Sequence, residues 1–578
     1  MTTPSESIQN HAVEPVDSSD SSHPSGHSNH SDSSNRSDSS LPSVAAAVNR
    51  FHSHAIPLDM EDIERDWDRP VAEAGIAAKA SVIVRVGMLD LGAGTGSFRV
   101  REMMHRISYP LGVHVRADVN LTDIEATCTD GHERITEVVD LPTTGVNTER
   151  IWLLEHFADW FSVNLGLGSM YHARPSISEE LVDGLASPES RHSAMRPLNL
   201  HSRRAGRLGG PGDARRRPVP SRQGPQPPKG EYAKHFDHVG AAAERDGRPS
   251  PITVSEVHDR LDLIERRKPL YAPWFSGLAS AVACAAFVFL LGGGLYDMVG
   301  AFIGAGLGQW LRRRLFAHRL NQFFVTFVCV AVAALACVAA LRLIGLFDPV
   351  ALQHDTAYIG AMLFVIPGFP LITGGLDIAK IDFPSGIQRL CYTLAIILMA
   401  TLAGWMVASI VELNPQGFEP LGLSPWLNGG LRFAAAFAGV WGFSVLFNSP
   451  QRMCLTAATI GAITDTLRLT ITDAGVPAEA AAFAGALLAG LLASAWRSSV
   501  RRGWLPPHLG YPRICLTVPS IVIMVPGLYM YQAMFHLGQF DVQLAMDWGF
   551  RAFMVILCLP IGLAMARVLT DKSWRYDV

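Results

Sequence analysis

Three groups of residues in this chain have types and spacings that chemistry could use. The first is the run LDLGAGTGSFRVREMMHRIS, residues 89 to 108, in which Asp90 is followed by Gly92, Gly94 and Gly96 at alternate positions and then by a helix. Glycines let a backbone turn tightly and approach a phosphate or sugar closely, and a helix N-terminus favours anions. The spelling is therefore that of a nucleotide-gripping turn, such as a methyltransferase uses for S-adenosylmethionine. The second is a pair of Pro-Gly dipeptides 159 residues apart, Pro367-Gly368 in VIPGFPLITGGL and Pro526-Gly527 in MVPGLYMYQAMF, each in mid-span of an apolar stretch. Proline removes a backbone donor and disturbs a helical turn, and the following glycine admits another group. Such a pair in a membrane span exposes backbone to a bound solute. Thr373, Tyr529 and Tyr531 follow the breaks and could meet a substrate hydroxyl. The third is Asp465 in GAITDTLRL, the deepest acid of its apolar stretch, able to hold an ammonium or carry a coupled proton. Asp297 and Asp377 stand nearer the ends of theirs, where solvation accounts for them.

The elements that must position these groups differ between the two halves of the chain. Hydrophobic residues make up 49% of 578, and the mean hydropathy is positive, yet the excess is concentrated in residues 273–568. The formal net charge of −4 gives no basic face for nucleic acid. Eight cysteines occur without a CxxC pair, seven of them in apolar stretches, so they read as buried fillers; no metal and no cofactor is expected. Residues 1–70 form a Ser/His/Asp-rich tail without an apolar signal core, which reads as disordered, and His11, His23, His27 and His30 in it read as solvated. Residues 183–251 are an Arg/Gly/Pro-rich linker, too poor in apolar residues for a core.

Residues 71–182 carry the pattern of a small α+β domain. A helical stripe at Ile76, Ala80, Ile83, Gly87 and Leu91 leads into the glycine motif, and a second helix follows, capped by Ser97 and ended by Gly112. Val113 to Leu121 alternate as a half-buried strand, TDG at 129–131 turns the chain, ERITEVVDL returns as a hairpin partner, and residues 148–165 form another helix. A methyltransferase needs several further βα units for its doubly wound sheet, and too few residues remain before the linker begins. On that count the glycines join two helices, and Asp90 becomes a surface residue. Residues 252–272 form an amphipathic juxtamembrane helix with capping-box spacing at Thr253 and Glu256.

Ten apolar stretches of about 20 residues then follow, the length that crosses roughly 30 Å of hydrocarbon. They divide into five-helix sets, 273–411 and 430–568, and the equivalent Pro-Gly pairs mark these as repeats. Because five is odd, the second repeat enters the membrane inverted, the arrangement of many secondary transporters. Alternate connections and the tail carry fourteen Lys and Arg, against four in the other set. By the positive-inside rule both termini are cytoplasmic.

The pattern as a whole resembles the threonine/serine exporter family. The resemblance rests on GAGTGSFRVREMMHRISYPLGV with VHVRADVNLTDI, on DRLDLIERRKPLYAPWFSGLASAVACAAFVFLLGGG, and on VIPGFPLITGGLDI, GFSVLFNSPQRMCLTAATIGAI and PSIVIMVPGLYMYQAMF; it covers roughly residues 75–182 and 252–568. It implies a mainly α-helical polytopic protein of the cell (inner) membrane, with a cytoplasmic domain ahead of ten helices. Its implied activity is not enzymatic: export of L-threonine and L-serine by the proton motive force, with the bilayer, protons and a small amino acid as partners. Relatives are also linked to dicarboxylate export. Arg99 and Glu102 match positions where the family tends to carry an arginine and an acid. The triple-glycine turn and the long linker depart from its pattern.

Overall fold

The computed structural model describes residues 60–141, 145–167, 252–415, 417–418 and 422–575, all within one compact unit, Ala47–Val578. The tail histidines and the whole of the linker 183–251 lie outside the described residues.

After a short helix α1 (Met60–Arg65), the α+β part is organised around α2 (Ile76–Gly92). This helix is buried at every position from Ile76 to Gly87, Lys79 and Arg85 included, and a helix that is apolar over most of its circumference has to be enclosed. It touches the sheet, α3 (Ser97–Ser108), α4 (Thr148–Asn164) and α5 (Val254–Glu265). The sheet is an antiparallel meander of β1 (His114–Val119), β2 (Asp123–Thr129) and β3 (Arg134–Asp140), with Val119 opposite Ile124 and Thr129 opposite Arg134. The expected alternation holds in β1, where Val115 and Val119 are buried while His114, Arg116 and Asp118 are exposed. The hairpin at TDG joins β2 to β3; β2 was hidden in the sequence because DIEATCT lacks a strongly apolar pattern. Asn147 caps α4 by accepting from the Arg150 amide at 3.1 Å, and Phe157, Trp160 and Phe161 fill the core behind it.

The amphipathic helix ahead of the first apolar span also completes the α+β core. Thr253 caps α5 as its spacing predicts, accepting from the Glu256 amide at 3.2 Å, but Val254, Val257, Leu261 and Ile264 are buried in the same core as α2. Arg85 of α2 pairs with Asp262 and, at 2.9 Å, with Glu265. His258 sits between Ser81 (3.1 Å) and Arg85 (3.0 Å) and stacks on Trp67. Burial, and then Arg85, hold its pKa well below the usual histidine range, so it stays neutral. A stripe that could face lipid headgroups instead closes the α+β core.

Beyond it, among the described residues, six helices are long and apolar enough to cross a membrane: α6 (Pro273–Leu290), α8 (Gln322–Gly345), α11 (Phe383–Val411), α12 (Pro425–Leu446), α14 (Ala478–Arg501) and α17 (Val542–Thr570). Two bent pairs raise the number to eight: α9 (Ala357–Met362) with its 3-10 turn and α10 (Gly368–Ala379), bent by 61°, and α15 (Arg513–Ile521) with its 3-10 turn and α16 (Gly527–Gly538), bent by 44°. The two remaining expected spans, α7 (Leu295–Ala317) and α13 (Gln451–Asp473), are 23-residue helices that fall short in apolarity. Glycine, threonine and charged residues in their sequences account for this. Gly300, Gly304 and Gly308 of α7, and Ala457, Ala458 and Gly461 of α13, are the small residues that let helices approach closely. α7 packs on α6, α8 and α9, and α13 packs on α12, α14 and α15. Large apolar side chains such as Leu394, Ile410 and Phe550 are exposed on α11 and α17, as lipid-facing surfaces require.

Replacing Leu261, which is wholly buried, tests whether α5 belongs to the α+β core. Leu261→Ala should destabilise that core by about 2–5 kcal/mol and lower its unfolding transition in the detergent-solubilised full chain. An exposed helix resting on lipid would show almost no change.

Candidate functional site

The two Pro-Gly pairs are the points at which α9–α10 and α15–α16 break, and their backbones share one geometry. Pro367 has φ −81° and ψ 62°, Pro526 has φ −80° and ψ 56°. The amide of Gly368 donates to Ile366 O, and that of Gly527 to Val525 O, each at 2.8 Å. These are inverse γ-turns centred on proline. Each glycine starts a new helix, so both α10 and α16 present an N-terminus in the interior, where the helix dipole favours an anion. The breaks also face one another. A Cβ on Gly368 would run into Val522, and one on Gly527 would come within 2.7 Å of Leu363 as well as into Ile366.

Of the other sequence candidates, Tyr531 lies on the axis between the halves. It is fully buried, and its hydroxyl bonds that of Tyr358 on α9, the rings meeting edge-on at 5.5 Å. Tyr358 gave no sequence signal, because its partner is 173 residues away. Tyr529 is half-buried against Trp548. Thr373 is buried, and its hydroxyl donates within its own helix to Phe369 O (3.1 Å) and Pro370 O (3.3 Å). Asp465 is fully buried and accepts from Arg468 Nε at 2.7 Å, one turn along α13. α13 packs on the 3-10 turn Val522–Met524 that leads into the second break.

The glycine motif has a structural task. Gly94 takes φ +94°, a conformation L side chains rarely adopt, to join α2 to α3. Gly96, not Ser97, is the N-cap residue of α3, and it offers no side chain. The acceptor comes from α10 instead: Asp377 accepts from the Ser97 amide at 3.2 Å and pairs with Arg389 Nε at 3.1 Å. Asp377 is fully buried, not solvated at an interface as its position suggested. A Cβ on Gly96 would stand 3.2 Å from its carboxyl carbon. Ser97 and Arg101 bond Asp382, and Ser385 donates to Val119 O. At the start of α4, the Thr148 amide donates to Phe447 O at 3.0 Å, and its hydroxyl lies 2.6 Å from Ser449. The α+β part is thus docked by buried hydrogen bonds on the ends of α10, α11 and α12.

Asp90 is likewise fully buried, correcting its reading as a surface residue. Burial pushes its carboxyl up to about 6, opposed chiefly by Arg99. Arg99 pairs with Glu155 of α4 and lies 3.6 Å from Glu102; Arg106 joins the same Glu155 at 2.6 Å. These ties fasten α3 to α4, behind the docked surface.

On the far side of the membrane part, Asp297 is buried and its carboxylate pairs with His354 Nδ1 at 2.9 Å, again not the solvated group its position suggested. His354 lines a cavity of about 140 Å³ with Arg342, Asp355, Tyr358, Glu412 and neighbouring apolar residues.

Two profiles of one family account for these parts. A threonine/serine exporter profile matches residues 81–166 and 245–411, and a second matches residues 432–569. The chain belongs to the threonine/serine exporter family. Among curated proteins, it is 26% identical over 180 residues to "Pheromone-regulated membrane protein 10" of Debaryomyces hansenii, covering 28% of this chain and 17% of that one. It is 27% identical over 168 residues to the protein of the same name in Pichia sorbitophila, covering 27% and 16%. It is 28% identical over 164 residues to "Probable succinate transporter subunit YjjP" of Klebsiella aerogenes, covering 27% and 62%. The match therefore spans under a fifth of the first two relatives and less than two thirds of the third. No solved structure matches.

Two outcomes follow for this member of the exporter family. Gly368→Ala and Gly527→Ala should each cost about 1–3 kcal/mol by crowding Val522 and by crowding Ile366 and Leu363 respectively, read as a lower melting temperature. Gly429→Ala, with nothing within 4 Å, should be neutral or stabilising. Asp90 takes up a proton at higher pH when folded (about 6) than its ordinary 3.8. Its contribution to stability is therefore greatest below about 4 and is lost as pH rises towards 6. Asp90→Asn should stabilise the protein at neutral pH, on the order of 2–3 kcal/mol, and flatten the pH dependence of melting over that window.

Proposed function

We propose that this protein is a secondary active exporter that moves L-threonine and L-serine out of the cytoplasm by alternating access, driven by the proton motive force. The observation that carries the reading is the pair of facing Pro-Gly breaks in a member of the threonine/serine exporter family. The substrate carboxylate meets the helix N-termini at Gly368 and Gly527, and Asp465 takes the ammonium group or the coupled proton. Tyr531 with Tyr358 meets the substrate hydroxyl; Tyr529 and Thr373 border the same route. Proline at 367 and 526 keeps the two turns from closing into continuous helix.

Ten spans in two inverted five-helix repeats fit this mechanism, with α7 and α13 at equivalent positions as the second helix of each. Matching contacts favour that arrangement: α7 on α9 as α13 on α15, α8 on α11 as α14 on α17, and α10 on α17 as α11 on α16. The basic connections gather at the ends of the helices on which the α+β part docks. This supports a cytoplasmic position for that part in an inner membrane and makes it the inner closure of the transport path. Dicarboxylate export is the second reading, favoured by the likeness to the succinate transporter subunit.

Cells preloaded with a threonine dipeptide test the proposal. Wild type should lower internal threonine and stop when an uncoupler is added, and Asp465→Asn should slow efflux at least tenfold. Efflux by Asp465→Asn at the wild-type rate and with the same uncoupler sensitivity would remove Asp465 from the coupling role. A Thr148→Cys/Ser449→Cys pair, whose parent hydroxyls lie 2.6 Å apart, should form a disulfide that halts efflux until reduced. Unimpaired efflux by the oxidised pair would show that the α+β part need not undock.

A further inference from the structure

We propose that the cavity between α8, α9 and the end of α11 is an outer release site that accepts a zwitterionic α-amino acid and rejects a dicarboxylate. The proposal rests on the exporter reading and adds to it a second, outward site with its own selectivity. The cavity holds about 140 Å³, which suits one small metabolite; drug-sized ligands occupy roughly 300–1,000 Å³. Its charged groups are of both signs. Arg342 reaches across the rim, donating to Val411 O at 3.2 Å. The same lining carries Asp355, oriented by the Asn414 amide at 3.3 Å, and Glu412, which ends α11 in the left-handed conformation at φ 61°.

An α-amino acid has one anionic and one cationic end, and this wall offers a partner to each. A planar guanidinium suits a carboxylate, and two carboxylates suit an ammonium. A dianion such as succinate satisfies Arg342 only by bringing its second carboxylate towards Asp355 and Glu412. His354 completes the wall. Its Nδ1 is committed to Asp297, whose Oδ1 is buried with no hydrogen-bond partner among the described residues, so Nε2 is the ring atom left for a ligand. Tyr358 closes the inner end, and through Tyr531 it touches the element that carries the second break. The cavity therefore stands on the axis of the facing breaks and on the side away from the docked α+β part. Arg342 and Glu412 are exposed, so water competes at the rim. Binding there is weak, as release demands.

Leu352 lines the cavity and is 52% exposed, which makes it a reporter. In a Cys391→Ser/Cys558→Ser background, Leu352→Cys should react with a membrane-impermeant maleimide added outside right-side-out vesicles. L-Threonine and L-serine should slow the reaction several-fold, and succinate at the same concentration should not. Asp355→Asn with Glu412→Gln should abolish protection by threonine while leaving the unprotected labelling rate unchanged; that rate also reports correct folding. Equal protection by succinate overturns the selectivity, and labelling only from the cytoplasmic face overturns the outward placement. Absence of protection in cells that still export threonine overturns the release site alone. Absence of both protection and export overturns the exporter reading with it.

Discussion

Backbone N–H and C=O groups cannot be left unpaired in hydrocarbon, and an apolar chain that interrupts its own helices must bury the interruptions in protein. Here each interruption is made small by an inverse γ-turn and is then covered by the other. Ile366 and Leu363 of the first break lie over Gly527, and Val522 beside the second lies over Gly368. Neither glycine accepts a methyl group unless the opposing side chains shift. The surrounding helices serve this contact. α7 and α13 present glycine and alanine faces so that the short arms α9 and α15 can sit close, and the long helices α11 and α17 pack against the second arms, α16 on α11 and both α10 and α16 on α17. A solute site at such a place needs no imported donors, because two helix N-termini already converge there.

The α+β part is coupled to the same elements from one side. Asp377, at the far end of the arm that begins at Gly368, supplies the cap that α3 lacks. A charged acceptor at a helix N-terminus contributes roughly 0.3–2 kcal/mol, more when partly buried. Here it is shared with Arg389 in a fully buried pair. Movement of α10 about its break therefore pulls on a bond that α3 depends on, and undocking of α3 leaves Asp377 and Arg389 to be re-solvated together. This gives a physical path between the extramembrane part and the break without any contact with the solute itself.

Much of this was legible in the sequence, and what was not follows a pattern. Periodicity located α2, α3, α4 and α5, because their apolar stripes are continuous. Pro-Gly in an apolar span located both breaks, because few residues other than this pair force such a turn there. The misreadings concern partners far away in sequence. Asp90, Asp297 and Asp377 looked solvated because acids near segment ends usually are, and their partners Arg99, His354 and Arg389, which only partly offset the burial of Asp90, are not adjacent in the sequence. Ser97 looked like a cap because the true acceptor is 280 residues on. The partner of the amphipathic α5 was not legible, because its stripe is the same whether lipid or α2 covers it. The helices α7 and α13 are helical where expected, but their glycines, threonines and charged residues lower their hydropathy, so composition and length alone count fewer spans than ten.

The most direct measurement of the central claim compares intracellular solutes in cells with and without this protein, grown under one regime and refed with amino acids and dicarboxylates. Export of hydroxylated amino acids requires threonine and serine to accumulate in cells lacking the protein and to fall when it is restored, while Gly368→Ala restores them only in part. Accumulation of succinate with threonine and serine unchanged would contradict the claim.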